Sequence, residues 1–179
     1  MAYTRAKTRE EHLPRLSTEI NREADMNILQ QSAFDIDLHL DPHWCSWFSG
    51  WIDGEGSFIT GMRRGRGIVA QLKIKVGDDD SPLVCDVCNT LSCGTIANRD
   101  ETRSRGSGTN RRDQVEWACS DTGANRHILI PLFDKYPLRS KKRRDYEIWR
   151  EIVLLISEEQ HLNGNRAYVL DLCQQLKDI

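Results

Sequence analysis

From Trp44 to Ile52 the chain is almost continuously apolar, from Ser57 to Val76 it alternates, and beyond Leu83 helical and alternating stretches take turns. The first run predicts a short buried helix. Phe58, Thr60 and Met62 alternate with Ile59, Gly61 and Arg63, which predicts a strand with one buried face over Ser57–Arg63. After a loop of Arg64, Gly65, Arg66 and Gly67, the stretch Ile68–Val76 sets Leu72, Ile74 and Val76 against Gln71, Lys73 and Lys75, a second strand whose polar face carries long donors. Asp78 to Ser81 then caps a helix over Pro82–Ser92, and Gly94 closes it. Thr95–Arg99 and Gln114–Cys119 predict a hairpin around a long Arg, Gly and Ser loop. Ile96, Val115, Trp117 and Cys119 turn inward there, and Thr95, Ala97, Arg99, Gln114, Glu116 and Ala118 turn outward.

Asp121 or Thr122 opens a further helix that ends near Lys135–Pro137. Ser140 caps a long one through Ile156, with Tyr146, Trp149, Ile152, Val153 and Ile156 as its apolar stripe. Gly164 precedes a last helix whose buried face is Tyr168, Val169, Leu172 and Leu176. The order is helix, two strands, helix, two strands, helices, an α+β domain over residues 44–179. Residues 1–43 are polar and charged and predict an extension, partly helical or disordered, with no recognisable chemistry.

Gly50 and Gly54 change the picture of the first helix. Four residues apart, they share one face, and a face without side chains admits another backbone closely. Each costs about 0.5 to 1 kcal/mol relative to alanine, so the pair predicts a tight helix–helix contact. Asp53 and Glu55 follow at the negative pole of the helix dipole, electrostatically misplaced unless a cation stands there.

Net charge is only −2, which on its face argues against a polyanionic partner, but the charge is unevenly spread. Residues 47–144 carry 17 basic and 12 acidic side chains, while both flanks are acidic. Six of the cations fall between Lys135 and Arg144, and Arg99, Arg103, Arg105, Arg111 and Arg112 form a second group around a glycine–serine loop. Such clusters are the footprint of phosphate contact, although taken alone they also fit solvated faces. No apolar run approaches the ~20 residues that span a bilayer, and the start lacks the apolar core of a signal peptide, so a soluble intracellular protein, cytoplasmic or organellar, is expected. Its six cysteines are then thiols. Cys85-x-x-Cys88 with Cys93 nearby hints at zinc, but Leu83, Val84, Val87, Cys88 and Leu91 repeat at helical spacing, which makes these cysteines small core residues of an amphipathic helix.

The segment Phe48-Ser49-Gly50-Trp51-Ile52-Asp53-Gly54-Glu55-Gly56 resembles the nine-residue signature of the LAGLIDADG homing endonucleases, and the element order extends the resemblance over residues 44 to about 176. The resemblance implies an α-β-β-α-β-β-α fold with a saddle-shaped antiparallel sheet lying in the major groove of double-stranded DNA. It also implies a two-fold interface between signature helices, with Phe48, Ser49, Gly50, Trp51 and Gly54 facing the partner. On the DNA side it implies Ile59, Gly61, Arg63, Arg64, Arg66, Gln71, Lys73, Lys75, Thr95, Arg99, Arg103, Arg105, Arg111, Arg112, Gln114, Glu116 and Lys142, with Ala97 between them. Arg and Lys suit guanine edges, Gln adenine, and Glu the amino group of cytosine.

The same resemblance makes Glu55 the metal ligand at the scissile phosphate and gives Asp53 a structural role. It makes Lys141, or else Lys142, the lysine near the attacking water. Family members often hold a water-orienting Gln at the end of the second strand; this chain has Val76 and Gly77 there, so the role passes to Lys75 or Gln71. One motif supplies one acid, so cutting both strands implies a homodimer on a roughly palindromic site. A carboxylate, water and phosphate oxygens make a hard oxygen site for Mg²⁺, with Mn²⁺ as a substitute and Ca²⁺ supporting binding without cleavage. The implied function is a sequence-specific double-strand DNA endonuclease of the homing type. The alternative is a non-cleaving protein of the same fold, an intron maturase or regulator.

Overall fold

Pro42 at the first helical position and Asp41 before it start the signature helix: the Asp41 carboxylate accepts from the amides of His43 at 2.6 Å and Trp44 at 2.9 Å. The computed structural model of the protein describes residues 40–63, 67–99, 113–162 and 164–178, and the side chains of Arg63 and Arg99 fall outside that set. Also outside it lie residues 1–39 of the expected extension and the expected phosphate contacts Arg64, Arg66, Arg103, Arg105, Arg111 and Arg112.

Helix α1 (Pro42–Glu55) runs into strand β1 (Gly56–Arg63), which pairs with β2 (Gly67–Gly77). A short 3-10 turn, Asp78–Asp80, leads into α2 (Ser81–Leu91). Strands β3 (Thr95–Arg99) and β4 (Gln114–Cys119) follow, and the four form one antiparallel sheet in the order β1-β2-β4-β3. Helical residues Thr122–Ala124 (α3), a π-helical turn over Asn125–Leu129 and Ile130–Lys135 (α4) come next, then α5 (Lys142–Ser157) and α6 (Arg166–Lys177). The π turn places Asn125 so that its side-chain amide donates to the carbonyl of Ala70 at 3.0 Å, tying the helix to the middle of β2. The α+β architecture expected from the periodicity is therefore present, with both pairs of strands in one sheet.

The helices pack on a single face of that sheet. Phe58, Ile68, Ala70, Leu72, Ile74, Val76, Val115, Trp117 and Cys119 form the buried parity, and Phe48, Ile52, Phe133, Tyr146 and Trp149 close over it. Rings interlock at the centre: Phe48 stacks on Phe133 at 5.9 Å and meets Trp117 edge-on at 6.4 Å, while Phe58 contacts Trp149 at 5.2 Å. The other parity, with Ser57, Ile59, Gly61, Val69, Gln71, Lys73, Lys75, Thr95, Ala97, Gln114, Glu116 and Ala118, is covered by none of the described helices.

Several expectations need correction. Met62 has the predicted parity but is 60% exposed, because β1 is an edge strand and its far end outruns the helices. Ile96 is partly exposed on the opposite edge strand for the same reason. Glu116 and Ala118 lie on the open face yet are largely buried, since β4 is a central strand and its neighbours' side chains lean over it. Tyr168 is exposed: its hydroxyl donates to Glu151 on α5 at 2.6 Å, and Cys173 takes a place in the core beside Val169 and Leu172. Cys85 is exposed and Cys88 and Cys93 half-buried, so Val84, Val87 and Leu91 carry the buried face of α2.

Gly94 is held at φ +86°, and a Cβ there would overlap the Trp117 indole, whose N–H donates to the Cys93 carbonyl at 3.0 Å. Gly94→Ala is expected to destabilise the protein by about 2 kcal/mol or more, since backbone strain of 1–3 kcal/mol adds to displacement of a fully buried ring. Chemical denaturation measures it, and an unchanged midpoint would contradict the placement.

Candidate functional site

Helix α1 has two unlike faces. Cys45, Phe48, Ser49 and Ile52 point into the chain's own core, and the Ser49 hydroxyl donates to the carbonyl of Tyr136 at 2.8 Å. Phe48 and Ser49 therefore do not belong to an outward interface, a correction that follows from the helical period: they sit on the side that covers the sheet. The outward stripe is Trp47, Gly50, Trp51 and Gly54, spaced i, i+3, i+4 and i+7, with the two indoles stacked at 5.4 Å. Trp47 was missed by sequence reasoning; its spacing from the two glycines is the signal that identifies it. A Cβ added at Gly50 or Gly54 would meet nothing within 4 Å, so nothing in the described chain requires glycine at either place. A groove of about 470 Å³ between this helix and the segment Lys135–Arg139 opens beside Gly50.

The end of α1 is where the acids and the C-terminal half of the chain meet. The Asp53 carboxylate accepts from the amide of Arg139 at 2.8 Å and from the hydroxyl and amide of Ser140 at 2.8 and 3.2 Å. Partial burial opposes its ionisation, but these donors and the Lys142 charge outweigh it and hold the Asp53 carboxyl below the usual carboxylate value. Asp53 thus anchors the turn that leads into α5. Ser140 passes the anchor on, its hydroxyl accepting from the amide of Lys142 at 3.1 Å.

That turn delivers Lys142 to the helix terminus. Its ammonium donates to the Gly54 carbonyl at 2.8 Å and the Ile52 carbonyl at 3.3 Å, so a cation does stand at the negative pole, supplied by the chain itself. Burial pushes the Lys142 ammonium below the ordinary lysine value, and the nearby carboxylates of Glu55, Asp53 and Asp145 offset this only in part. Lys141, the expected first choice, is exposed, one residue out of phase. A step of one residue near a helix start turns a side chain by about 100°, which is enough to exchange the site for solvent.

Glu55 is exposed, the last residue of α1, and accepts no hydrogen bond from the described residues. The β1–β2 ladder ends at Gly56 opposite Ile74, so Lys75 is the next β2 residue toward Glu55. Gln71 pairs with Ile59, three residues and about 10 Å further along, which removes it as a group acting beside Glu55. Among the described residues no cluster of three or more His, Cys, Asp or Glu side chains is arranged to hold a metal, and the cysteines of α2 form none.

The open sheet face carries Lys73, Lys75 and Gln71, and Lys73 is paired with Glu116 across the β2–β4 boundary at 3.0 Å. Gln114 and Thr95 lie on the same face, as do Ile59, Gly61 and Ala97. Arg63 and Arg99 hold open-face positions in the ladder. No helix among the described residues is long and apolar enough to cross a membrane.

Fold and site together define an α+β protein with one sheet face covered by none of the described helices, bordered at the start of β1 by a helix that ends in an exposed carboxylate beside a half-buried lysine. Residues 48–153 match the family model described as LAGLIDADG endonuclease, and the chain belongs to that family. It is 30% identical over 123 residues to a protein described as probable intron-encoded endonuclease 2 of Neurospora crassa, covering 65% of this chain and 25% of that one. The chain spans about a quarter of the length of the curated relatives it matches. Among solved structures it is similar to the homing endonuclease I-TnaI, with a TM-score of 0.60 at 21% identity over 75% of this chain and 93% of that one. It is also similar to the LAGLIDADG meganuclease I-AabMI bound to uncleaved DNA, with a TM-score of 0.59 at 25% identity over 72% and 42% of the two chains.

Proposed function

We propose that the protein is a divalent-metal-dependent, sequence-specific endonuclease of double-stranded DNA that works as a pair of LAGLIDADG units. The observation that carries this reading is the exposed Glu55 carboxylate at the end of α1, next to Lys142 and at the rim of a donor-rich sheet face that none of the described helices covers. A protein that only bound nucleic acid would have no use for an acid there, since it repels phosphate.

The donor set suits a hard cation such as Mg²⁺: an exposed carboxylate, with water and phosphate oxygens to complete the shell. When bound, such an ion supplies an activated water and neutralises charge developing on phosphorus. Glu55 holds it. Lys142, half-buried and fixed on two carbonyls, presents a cation toward the same phosphate, and Asp53 positions it through Ser140.

One acid per unit serves one strand, so two units have to meet. The stripe Trp47, Gly50, Trp51 and Gly54 suits self-association: bare helix backbone flanked by large indoles. Coverage of 42% of one solved neighbour and 93% of another accords with a unit that acts as half of a larger whole.

Incubation with a randomised duplex library tests the activity. Cutting in Mg²⁺, with binding and no cutting in Ca²⁺, is expected; binding in both ions without cuts would replace this reading with a maturase or regulator. Affinity should fall steeply with salt as lysine and arginine contacts release counterions, and a flat response would remove phosphate from the account.

Lys142→Met is expected to lower the cleavage rate by about 10²-fold with little loss of DNA affinity, whereas Lys141→Met changes the rate less than about threefold. Single-turnover cleavage kinetics separate the two. The opposite ranking would return the role to Lys141.

A further inference from the structure

The sheet face that none of the described helices covers changes character along its length. Toward the start of β1 it carries Lys73 and Lys75, but β1 and β2 run on past β4, whose last ladder contact with β2 is Cys119 opposite Leu72. There the face turns apolar. Ile59 stands directly opposite Gln71, and Gly61 directly opposite Val69. Among the described residues Ile59, 38% exposed, is the one exposed large apolar side chain on this face. Gln71 beside it is half-buried and makes no side-chain hydrogen bond among the described residues, so its amide keeps both donors and its acceptor. Residues directly opposite on antiparallel strands hold their Cβ atoms about 4.5 to 5.5 Å apart, so amide and branched alkyl group meet a ligand side by side.

The major-groove edge of an A·T pair is the complement of this couple. Adenine offers N7 as acceptor and N6 as donor, which a single glutamine amide meets together, and thymine sets its C5 methyl beside the O4 that pairs with N6. A G·C pair lacks the methyl and brings the cytosine amino group toward an isoleucine that offers no acceptor. Water is then stripped from a donor without a hydrogen bond in return. The reversed T·A pair fails as well, because it sets the amide over the methyl and the alkyl group over the adenine amino group.

Resting on the reading of this face as a DNA-binding surface, we propose that Gln71 and Ile59 together specify one A·T base pair in each half-site, Gln71 bonding the adenine and Ile59 covering the thymine methyl. The couple reads the orientation of the pair as well as its composition, since each wrong pair leaves a polar group unmatched.

The test is a binding profile of the protein against a duplex library randomised at every position, read by sequencing the bound fraction in Ca²⁺. Wild type is expected to favour A·T over the other pairs by roughly five- to a hundred-fold at one position per half-site. Gln71→Met, which keeps the length of the side chain and removes the amide, relaxes that position and leaves the others unchanged. Replacing the thymine there by deoxyuridine deletes only the methyl, and wild type then binds about fourfold more weakly. Ile59→Ala binds the thymine and uracil duplexes equally. Thermal melting registers the folding of each variant, and the uracil duplex, which leaves the protein unaltered, carries the test if a variant unfolds. An unaltered preference in Gln71→Met overturns the proposal, as does indifference of wild type to the methyl or an equal loss for all sequences. Wild type that binds no duplex at all would instead remove the DNA-binding reading beneath it.

Discussion

Glu55→Gln is expected to leave the protein folded and able to bind duplex DNA while reducing cleavage by at least about 10²- to 10³-fold, the scale of losing one electrostatic contributor to a transition state. The side chain is exposed and accepts no hydrogen bond from the described residues, so the neutral isostere removes a charge without opening the core. What it removes is the anionic oxygen on which a hard divalent ion depends. Because a negative charge beside phosphate is lost, affinity without metal should hold or rise, while in Ca²⁺ the loss of an ion bridging carboxylate and phosphate offsets that gain and binding is retained. Gel-shift titration in Ca²⁺ beside cleavage in Mg²⁺ reads both effects. Cutting within tenfold of wild type by a clean preparation would take Glu55 out of the site.

The second large effect concerns the glycines of α1. Introducing alanine at both Gly50 and Gly54 should stabilise the isolated unit by roughly 0.5 to 1.5 kcal/mol, since Gly50 in the helix interior costs about 0.5 to 1 kcal/mol, Gly54 beside the helix end costs less, and a Cβ at either place meets nothing within 4 Å. The same change should weaken self-association on the order of 10- to 100-fold, because every added methyl occurs on both sides of a close helix contact and overpacking costs about 1–3 kcal/mol. Leucine at the two positions should abolish it. Sedimentation velocity with and without DNA follows the association, and denaturation follows the unit. Gly56 is a control of the opposite kind, because a Cβ there would approach the Ile52 side chain to 2.7 Å inside the same chain. Alanine variants at 50 and 54 that associate and cut like wild type would end the idea of a glycine-mediated pairing.

That Glu55 ends a helix and that two glycines share a face can be read from spacing. Which residues share the outward face with them cannot, because Phe48 and Ser49 are as apolar or small as an interface demands, and only packing against Phe133 and Tyr136 turns them inward. Trp47 has the opposite history: an aromatic residue beside a buried run reads as core, yet helical phase carries it out.

Periodicity by itself determined the alternation of the four strands, the order of the elements and the single carboxylate that ends the signature helix, because period-2 and period-3.6 patterns follow from local backbone geometry. The tertiary structure decided that Lys142 and not Lys141 reaches that helix end, that Gln71 is remote from Glu55, and that Lys73 and Glu116 are partners. Each of these depends on how separate segments of the chain come together, from the β1–β2 register that pairs Ile59 with Gln71 to the docking of Asp53 against Ser140, and a one-residue difference there redirects a side chain without leaving any trace in local pattern.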